Sequence, residues 1–221
     1  MTRRDPLIAI DGPAGSGKST LAHRLAESFA LPYLNTGLMY RAVTHEALEA
    51  EMDLDDGEGL AVLSRTIGFD LDQRVHPPSL MIDGRQPGKE LTRPEVESNV
   101  SRVARHPEVR AVLREAQRRL SERGGVVEGR DIGTVVAPQA DVKLYLEADE
   151  QVRVSRRAGE RAAREYRVAA ELSARDALDA RTNPPEPAED AVAIDTSQMD
   201  ADGVFAVALA VVRARLEERG W

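Results

Sequence analysis

Residues Gly12 to Ser19 read G-P-A-G-S-G-K-S, which fits the phosphate-binding pattern G-x-x-x-x-G-K-[ST] at every fixed position. Its glycines permit a backbone path that turns several N–H groups inward, where they can hold phosphate oxygens. Lys18 can reach the β- and γ-phosphates of ATP, and the Ser19 hydroxyl can bind Mg²⁺. The alternative is a glycine-rich turn without a ligand. The residues predicted to contact ATP are Gly12, Pro13, Ala14, Gly15, Ser16, Gly17, Lys18, Ser19 and Thr20.

The segments around this loop have the patterns that such a loop requires. The apolar run 7–10 predicts a buried parallel strand, and the apolar spacing after the loop predicts an amphipathic helix over 18–30. Strands alternating with helices predict a parallel β-sheet with helices on both faces, so we expect an α/β fold in a single domain, 1–221. Further strands are predicted at 33–37, 125–128, 142–146 and 191–195, and further helices at 38–50, 94–104, 107–123, 150–167, 168–180 and 201–218.

Two stretches depart from this alternation. Residues 67–85 contain short alternating runs and an Asp83-Gly84 turn, which predict a small antiparallel insert, within about 65–93, separate from the main parallel sheet. Residues 51–60 are acidic and turn-like, and we expect a surface connection there.

Composition excludes several classes of protein. The net charge of −8 argues against generic binding of nucleic acids or anionic membranes, which requires a basic surface. The absence of cysteine excludes disulfides, a thiolate nucleophile and zinc–thiolate sites. The polar N-terminus and the lack of a long apolar run favour a cytoplasmic protein. The 27 arginines against 3 lysines suit phosphate recognition, but a GC-rich genome produces the same bias.

Several segments, taken in order, resemble the bacterial-type cytidylate kinases, which belong to the nucleoside monophosphate kinase group of P-loop kinases. The phosphate loop is common to many families, whereas the combination of the Tyr-Arg, Ser…Arg and Gly-Arg-Asp segments is much narrower. The guanine-reading N-K-x-D motif of GTPases is absent. The segments that carry the resemblance are 8–20, 35–41, 97–110, 128–136, 175–179 and 190–197.

The resemblance implies roles for particular residues. Arg41 and Arg130 match positions that hold the acceptor phosphate, and Ser101, Arg110 and Asp131 match positions that read the cytosine base. Asp131 can accept a hydrogen bond from the N4 amine. The alternatives are a Mg²⁺ ligand or an ion pair with Arg130 for Asp131, a solvated helix position for Ser101, and surface positions for the arginines. The acceptor-binding residues implied by the resemblance are Thr36, Tyr40, Arg41, Ser101, Arg110, Arg130, Asp131, Arg175, Asp179 and Arg181.

The resemblance implies that the insert, about 65–93, is the NMP-binding region of such kinases. The segment of about 150–180 corresponds to their mobile lid and their ribose- and phosphate-binding region. The ribose is expected near Asp179, although an ion pair with Arg175 one helical turn away is an alternative. The family usually carries a further phosphate-contacting arginine where this chain has Thr182, and Arg181 is the nearest substitute. Either Arg156 or Arg157 is expected to act on the transferring phosphoryl group, unless this helix face is merely solvated.

The activity implied by the resemblance is Mg²⁺-assisted, in-line transfer of the γ-phosphoryl group from ATP to CMP or dCMP. The acceptor oxygen is already anionic at neutral pH, so a general base is not required, and Lys18, Arg130 and Arg157 are the residues expected to be catalytic. The family leads us to expect a monomer. The rival interpretations are a kinase with another acceptor, such as UMP or a non-nucleotide acid, and a nucleotide-binding regulator without kinase activity.

Overall fold

The computed structural model describes residues 4–161 and 186–221, together with residue 169. Seven strands lie in these residues: β1 Leu7–Asp11, β2 Tyr33–Asn35, β3 Phe69–Asp72, β4 Ser79–Ile82, β5 Gly125–Glu128, β6 Val142–Glu147 and β7 Val192–Asp195. The described α-helices are α1 Lys18–Phe29, α2 Thr36–Glu49, α3 Gly57–Thr66, α4 Pro94–Ala104, α5 Pro107–Ser121, α6 Glu150–Arg161 and α7 Ala201–Glu218. A 3₁₀ turn spans Lys89–Thr92, and a short π-helix spans Ile132–Val136.

The strands form one sheet in the order β3-β4-β2-β5-β1-β6-β7. All neighbours are parallel except β3 and β4, which form an antiparallel hairpin at one edge. The predicted parallel sheet is therefore confirmed. Because β2, β5 and β1 are adjacent and parallel, the residues that follow Asn35, Glu128 and Asp11 meet at the same edge, where ligands of α/β sheets bind.

The alternation of side chains along β1 divides the core between the two faces of the sheet. Leu7 and Ala9 belong to one apolar cluster, which includes residues of α2, α3, α4 and α5. Ile8 and Ile10 belong to the other cluster, which includes residues of α1 and α7. Successive side chains of a strand point to opposite faces, so a continuous apolar run fits a strand covered on both sides.

The antiparallel hairpin at 69–82 is confirmed, but the prediction that it lies apart from the main sheet is wrong. Tyr33 of β2 pairs with Ser79 of β4, and the Tyr33 N–H donates to the carbonyl oxygen of Pro78 at 2.7 Å. The parallel contact is limited to this one register pair, whereas all three residues of β2 pair with β5 on the other side. A single register pair of this kind leaves little signal in the sequence.

The expectation of a surface connection across 51–60 is also wrong in its second half, because α3 begins at Gly57. Asp56 caps this helix by accepting a hydrogen bond from the Gly59 N–H at 3.0 Å. Leu60 and Ala61 are buried, so packing stabilises a helix that contains two glycines in its first turn.

Most other element predictions are confirmed, including the helices at 94–104 and 201–218 and the last strand at 192–195. The polar helix predicted over 150–167 is described as far as Arg161, and the helix predicted at 168–180 lies outside the described residues apart from residue 169. In the described part of the chain, every helix is too short or too polar to cross a membrane.

Candidate functional site

The phosphate loop joins β1 to α1 and has the backbone that its glycines predict. Gly12, Gly15 and Gly17 have φ values of +145°, +77° and +94°. A Cβ atom on Gly12 would lie 2.3 Å from the carbonyl oxygen of Leu146, so side chains are excluded there on steric grounds as well. No side chain caps the first turn of α1. Its N–H groups and the helix dipole therefore face the loop, as an anion site requires.

Lys18 is folded back onto its own loop. Its Nζ donates to the carbonyl oxygen of Pro13 at 2.7 Å. The ammonium group is therefore held over the loop, where the phosphates of a nucleotide are expected to bind.

Glu128, at the carboxyl end of β5, lies beside the loop and was not predicted as a site residue. It is 3 % exposed, and its two oxygens accept hydrogen bonds from the Ser19 hydroxyl at 3.0 Å and the Tyr33 hydroxyl at 2.6 Å. Burial raises the pKa of Tyr33, and the neighbouring Glu128 charge raises it further, so Tyr33 stays a neutral donor. The signal available in the sequence was an acidic residue ending a buried strand.

Ser19 and Glu128 are the residues best placed to serve a divalent cation. Hydroxyl and carboxylate oxygens are the hard ligands that Mg²⁺ prefers, and Mg²⁺ usually takes few protein ligands together with substrate phosphates. The described residues contain no cluster of three or more acidic or histidine side chains that could form an all-protein cage.

Asp131 forms a tight ion-pair cluster with two arginines of α5. Its Oδ2 accepts from Arg110 Nη2 at 2.9 Å and from Arg114 Nη2 at 2.6 Å. Among the described residues these are its ion-pair partners, so the alternative of an ion pair with Arg130 is wrong for this conformation. Ser101 is buried, so the alternative that it is a solvated helix serine is wrong. Arg114 was missed because its partner lies in a segment 17 residues away.

Glu97 of α4 connects two arginines from different helices. Its Oε1 lies 3.2 Å from Arg41 Nη2 of α2 and 2.6 Å from Arg157 Nη2 of α6. The side chain of Glu97 is 8 % exposed. No pattern in the sequence indicates this arrangement, because it depends on how α2, α4 and α6 pack.

The neighbouring arginines of α6 have different surroundings. Arg156 donates to Thr196 Oγ1 at 2.9 Å and to the carbonyl oxygen of Thr196 at 2.7 Å, which ties α6 to the end of β7. Arg157 instead lines a cavity beside the phosphate loop, together with Lys18 and Asp131. The choice between these two arginines, which the sequence left open, therefore favours Arg157.

Asp11, the last residue of β1, supports the segment that carries Arg130 and Asp131. Its two oxygens accept from the backbone N–H groups of Ile132 at 2.8 Å and Gly133 at 2.7 Å. Burial raises the pKa of Asp11 to about 6, although the two backbone hydrogen bonds act in the opposite direction. Asp11 thus anchors the first turn of the π-helix.

One cavity of about 200 Å³ brings most of the predicted residues together. Its lining joins the phosphate loop to Arg110, Asp131 and Arg157. Gly12, Pro13, Ser16, Gly17 and Thr20 support the loop without lining the cavity, and residues 65–93 contribute nothing to the described lining. Arg175, Asp179 and Arg181 lie outside the described residues. The predicted residues in the lining are Ala14, Gly15, Lys18, Ser19, Thr36, Tyr40, Arg41, Ser101, Arg110, Arg130, Asp131 and Arg157.

Comparison with known proteins agrees with this arrangement. The family model described as cytidylate kinase matches residues 8–214. A cytidylate kinase of Exiguobacterium sibiricum is 42 % identical over 207 residues, covering 90 % of this chain and 93 % of the relative. A cytidylate kinase of Herpetosiphon aurantiacus is 44 % identical, and the alignment covers 93 % of this chain and 93 % of the relative. A cytidylate kinase of Acidiphilium cryptum is also 44 % identical, and the alignment covers 95 % of this chain and 96 % of the relative. The chain therefore belongs to the cytidylate kinase family.

Proposed function

We propose that this protein transfers the γ-phosphoryl group of ATP to the α-phosphate of CMP, with dCMP as a second acceptor. The observation that carries the proposal is one cavity that is lined both by Lys18 of the phosphate loop and by Arg110 and Asp131. The first suits the phosphates of a donor and the second suits a cytosine base. Membership in the cytidylate kinase family supports the same reaction.

Recognition of the acceptor base follows from the donors and acceptors at one end of the cavity. Cytosine presents an N4 amine as donor and N3 and O2 as acceptors. Asp131 is an acceptor, Arg110 is a donor, and the buried Ser101 can be either. We assign the base to these three residues, with Thr36 and Tyr40 as further contacts on the acceptor side.

Binding of the acceptor phosphate is assigned to Arg41 and Arg130, which line the same cavity. Guanidinium groups keep their charge at every working pH and match phosphate geometry with two parallel donors. We further propose that Arg175, Asp179 and Arg181 complete the ribose and phosphate contacts, on the strength of the family pattern.

Catalysis in this proposal is positioning together with stabilisation of charge. The attacking oxygen of CMP is already anionic, so the residues need not remove a proton. Lys18, Arg130 and Arg157 would stabilise the negative charge on the transferring group and on the departing ADP. Mg²⁺, when bound with ATP, would neutralise phosphate charge, and Ser19 and Glu128 are the residues that would hold it.

Closure over the substrates is assigned to the lid, about 150–180, and to the insert, about 65–93. Exclusion of water is required because ATP would otherwise be hydrolysed. On the strength of the family pattern alone, we propose a monomer as the active unit. A cytoplasmic location, where ATP and CMP are supplied, agrees with this role.

The test is ADP release from Mg-ATP by the purified protein with CMP, dCMP, UMP, AMP or no acceptor. Strong stimulation by CMP and dCMP, with little by AMP and UMP, is the expected result. Preference for UMP or AMP would overturn the assignment of the base. ATP binding without stimulation by any acceptor would favour the nucleotide-binding regulator.

A further inference from the structure

Arg114 has no part in the function described so far, yet it makes the shortest contact to Asp131. It lies on α5 four residues after Arg110, so both side chains extend from the same face of the helix. Unlike Arg110 and Asp131, Arg114 is not among the residues that line the cavity. The contact through which Arg114 reaches the lining of the cavity is its pair of hydrogen bonds to Asp131.

The contacts on Asp131 are distributed unequally between its two oxygens. Oδ2 accepts from Arg110 Nη2 at 2.9 Å, from Arg114 Nε at 3.1 Å and from Arg114 Nη2 at 2.6 Å. Oδ1 accepts no hydrogen bond from the described residues. A carboxylate offers about four acceptor positions, two on each oxygen, so three donors occupy Oδ2 fully and leave the capacity of Oδ1 unused.

We propose that Arg114 is a positioning residue that holds Asp131 by Oδ2, so that Oδ1 is kept for the 4-amino group of the acceptor base. The proposal rests on the proposed function and deepens it by naming a determinant of base specificity. Two of the three hydrogen bonds on Oδ2 come from Arg114, so this residue rather than Arg110 fixes the rotation of the carboxylate.

Arg114 also shares the pairing of Asp131 with Arg110. Without Arg114, Arg110 would be the only described cation paired with Asp131. With Arg114 present, Arg110 can donate to N3 or O2 as well. Its Nη1 lies 3.4 Å from the carbonyl oxygen of Ala104, a long contact that an acceptor atom of the base can replace.

The consequence is discrimination between cytosine and uracil. Uracil has an oxygen in place of the 4-amino group, and an ionised Oδ1 held towards that oxygen repels it. A site of fixed acceptors rejects a ligand that lacks the matching donor, because its polar groups are then left unpaired. A carboxylate free to rotate would lose much of this selectivity.

The experiment compares Arg114→Met, Arg114→Lys and wild type for kcat and KM with CMP and with UMP. The kcat/KM ratio of CMP to UMP is expected to fall about tenfold or more in Arg114→Met, the effect of one lost hydrogen bond to a charged group. The change should appear in the KM for CMP, with the KM for ATP unchanged. Arg114→Lys should recover part of the ratio because its ammonium group can still donate to Oδ2.

Arg118→Met is the matched control. Arg118 lies one turn further along α5 and donates to the carbonyl oxygens of Val135 and Val136, so it supports the same segment without touching Asp131. The ratio of kcat/KM for CMP to kcat/KM for UMP in Arg118→Met should equal that of the wild type. If Arg114→Met does not fold, the comparison of Arg114→Lys and Arg114→Gln with Arg118→Met replaces it, and Gln is expected to lower the ratio more than Lys.

The failure of this inference can be told apart from failure of the proposed function. A wild type that prefers CMP, with the ratio within about twofold of wild type in every Arg114 variant, overturns the role of Arg114 and leaves the function intact. An equal fall of the ratio in Arg118→Met also overturns it, because general support of the segment would then explain the effect. A wild type without CMP-dependent ADP release overturns the proposed function itself.

Discussion

Replacing Asp11 with Asn tests how the fold supports the segment that carries Arg130 and Asp131. Asp11 is 7 % exposed and joins the end of β1 to the backbone of Ile132 and Gly133. Asn has nearly the same shape but does not ionise. The substitution therefore removes the charge while keeping one acceptor oxygen.

The magnitude follows from the pKa of Asp11, which burial raises from its ordinary value of 3.8 to about 6. One pKa unit corresponds to about 1.4 kcal/mol, so the shift represents about 3 kcal/mol between the protonated and ionised forms. The folded protein binds this proton more tightly than the unfolded chain. The stabilisation is therefore fully present below about pH 4, the unfolded pKa, and is lost as the pH rises through about 6. About 2 kcal/mol of the loss falls between pH 4.5 and pH 8.

The assay is urea-induced unfolding of wild type and Asp11→Asn at several pH values between 4.5 and 8. Subtracting the free energy of unfolding of one protein from that of the other at each pH cancels the titration of all other groups. From pH 4.5 to pH 8, the free energy of unfolding of the wild type is expected to fall by about 2 kcal/mol relative to that of Asp11→Asn. A constant difference, or movement in the opposite direction, would refute the reasoning.

Asp141→Asn is the matched control with the opposite sign. Asp141 is also buried, and burial alone would raise its pKa, but hydrogen bonds from Arg4 and from the Leu7 N–H lower the pKa overall. This carboxylate stabilises the fold above its unfolded pKa, and the stabilisation is lost as the pH falls. Between pH 4.5 and pH 8 the difference in unfolding free energy between wild type and Asp141→Asn should therefore stay nearly constant. Below about pH 4 the wild type should lose stability relative to Asp141→Asn as the pH falls, which is opposite in sign to Asp11→Asn.

Three further substitutions test the site. Lys18→Ala is expected to lower kcat by about 10²- to 10³-fold, because the stabilisation of phosphate charge is lost. The Tm measured without nucleotide should change little. A kcat near that of the wild type would contradict the role of the loop. Asp131→Ala should lower kcat/KM for CMP by roughly 10- to 150-fold and leave the KM for ATP almost unchanged, whereas equal damage to both substrates would favour a metal role. Glu97→Gln should lower the free energy of unfolding of the ligand-free protein by roughly 1.5–3 kcal/mol. It should also enlarge the rise in Tm that CMP causes, because residue 97 then carries no charge that competes with CMP for Arg41 and Arg157. An unchanged rise in Tm with CMP would argue against that competition.

The sequence predicts best those elements whose signal is local. The phosphate loop and the helices that begin at Pro94 and Pro107 are defined by neighbouring residues, and the structure has them where the pattern indicates. The helix α3 was missed because its stability comes from burying Leu60 and Ala61 rather than from helix propensity. The attachment of the hairpin to the sheet was missed because it depends on one contact between Tyr33 and Ser79.

The site shows the same division between local and tertiary information. Residues of the phosphate loop and the Gly-Arg-Asp segment could be named from short motifs. Glu97 and Arg114 could not, because each acts on a partner at least 17 residues away in the chain. Glu128 had only the weak signal of an acidic residue that ends a buried strand, and its partners Ser19 and Tyr33 are distant in the chain. Their side chains are ordinary helix or strand residues until the packing of the helices brings the partners together.

The pairing of the arginines has a consequence for a protein whose net charge is −8. Two arginines meet one carboxylate at Glu97, and two meet one carboxylate at Asp131. Each carboxylate holds its arginines in place in the ligand-free protein. The two carboxylates must then behave differently. Asp131 can remain paired while it reads a neutral base, but Glu97 lies on the arginines that a phosphate dianion would bind. If Arg41 binds the acceptor phosphate as proposed, we expect the phosphate to displace Glu97 from Arg41, and the same displacement to release Arg157 from α4.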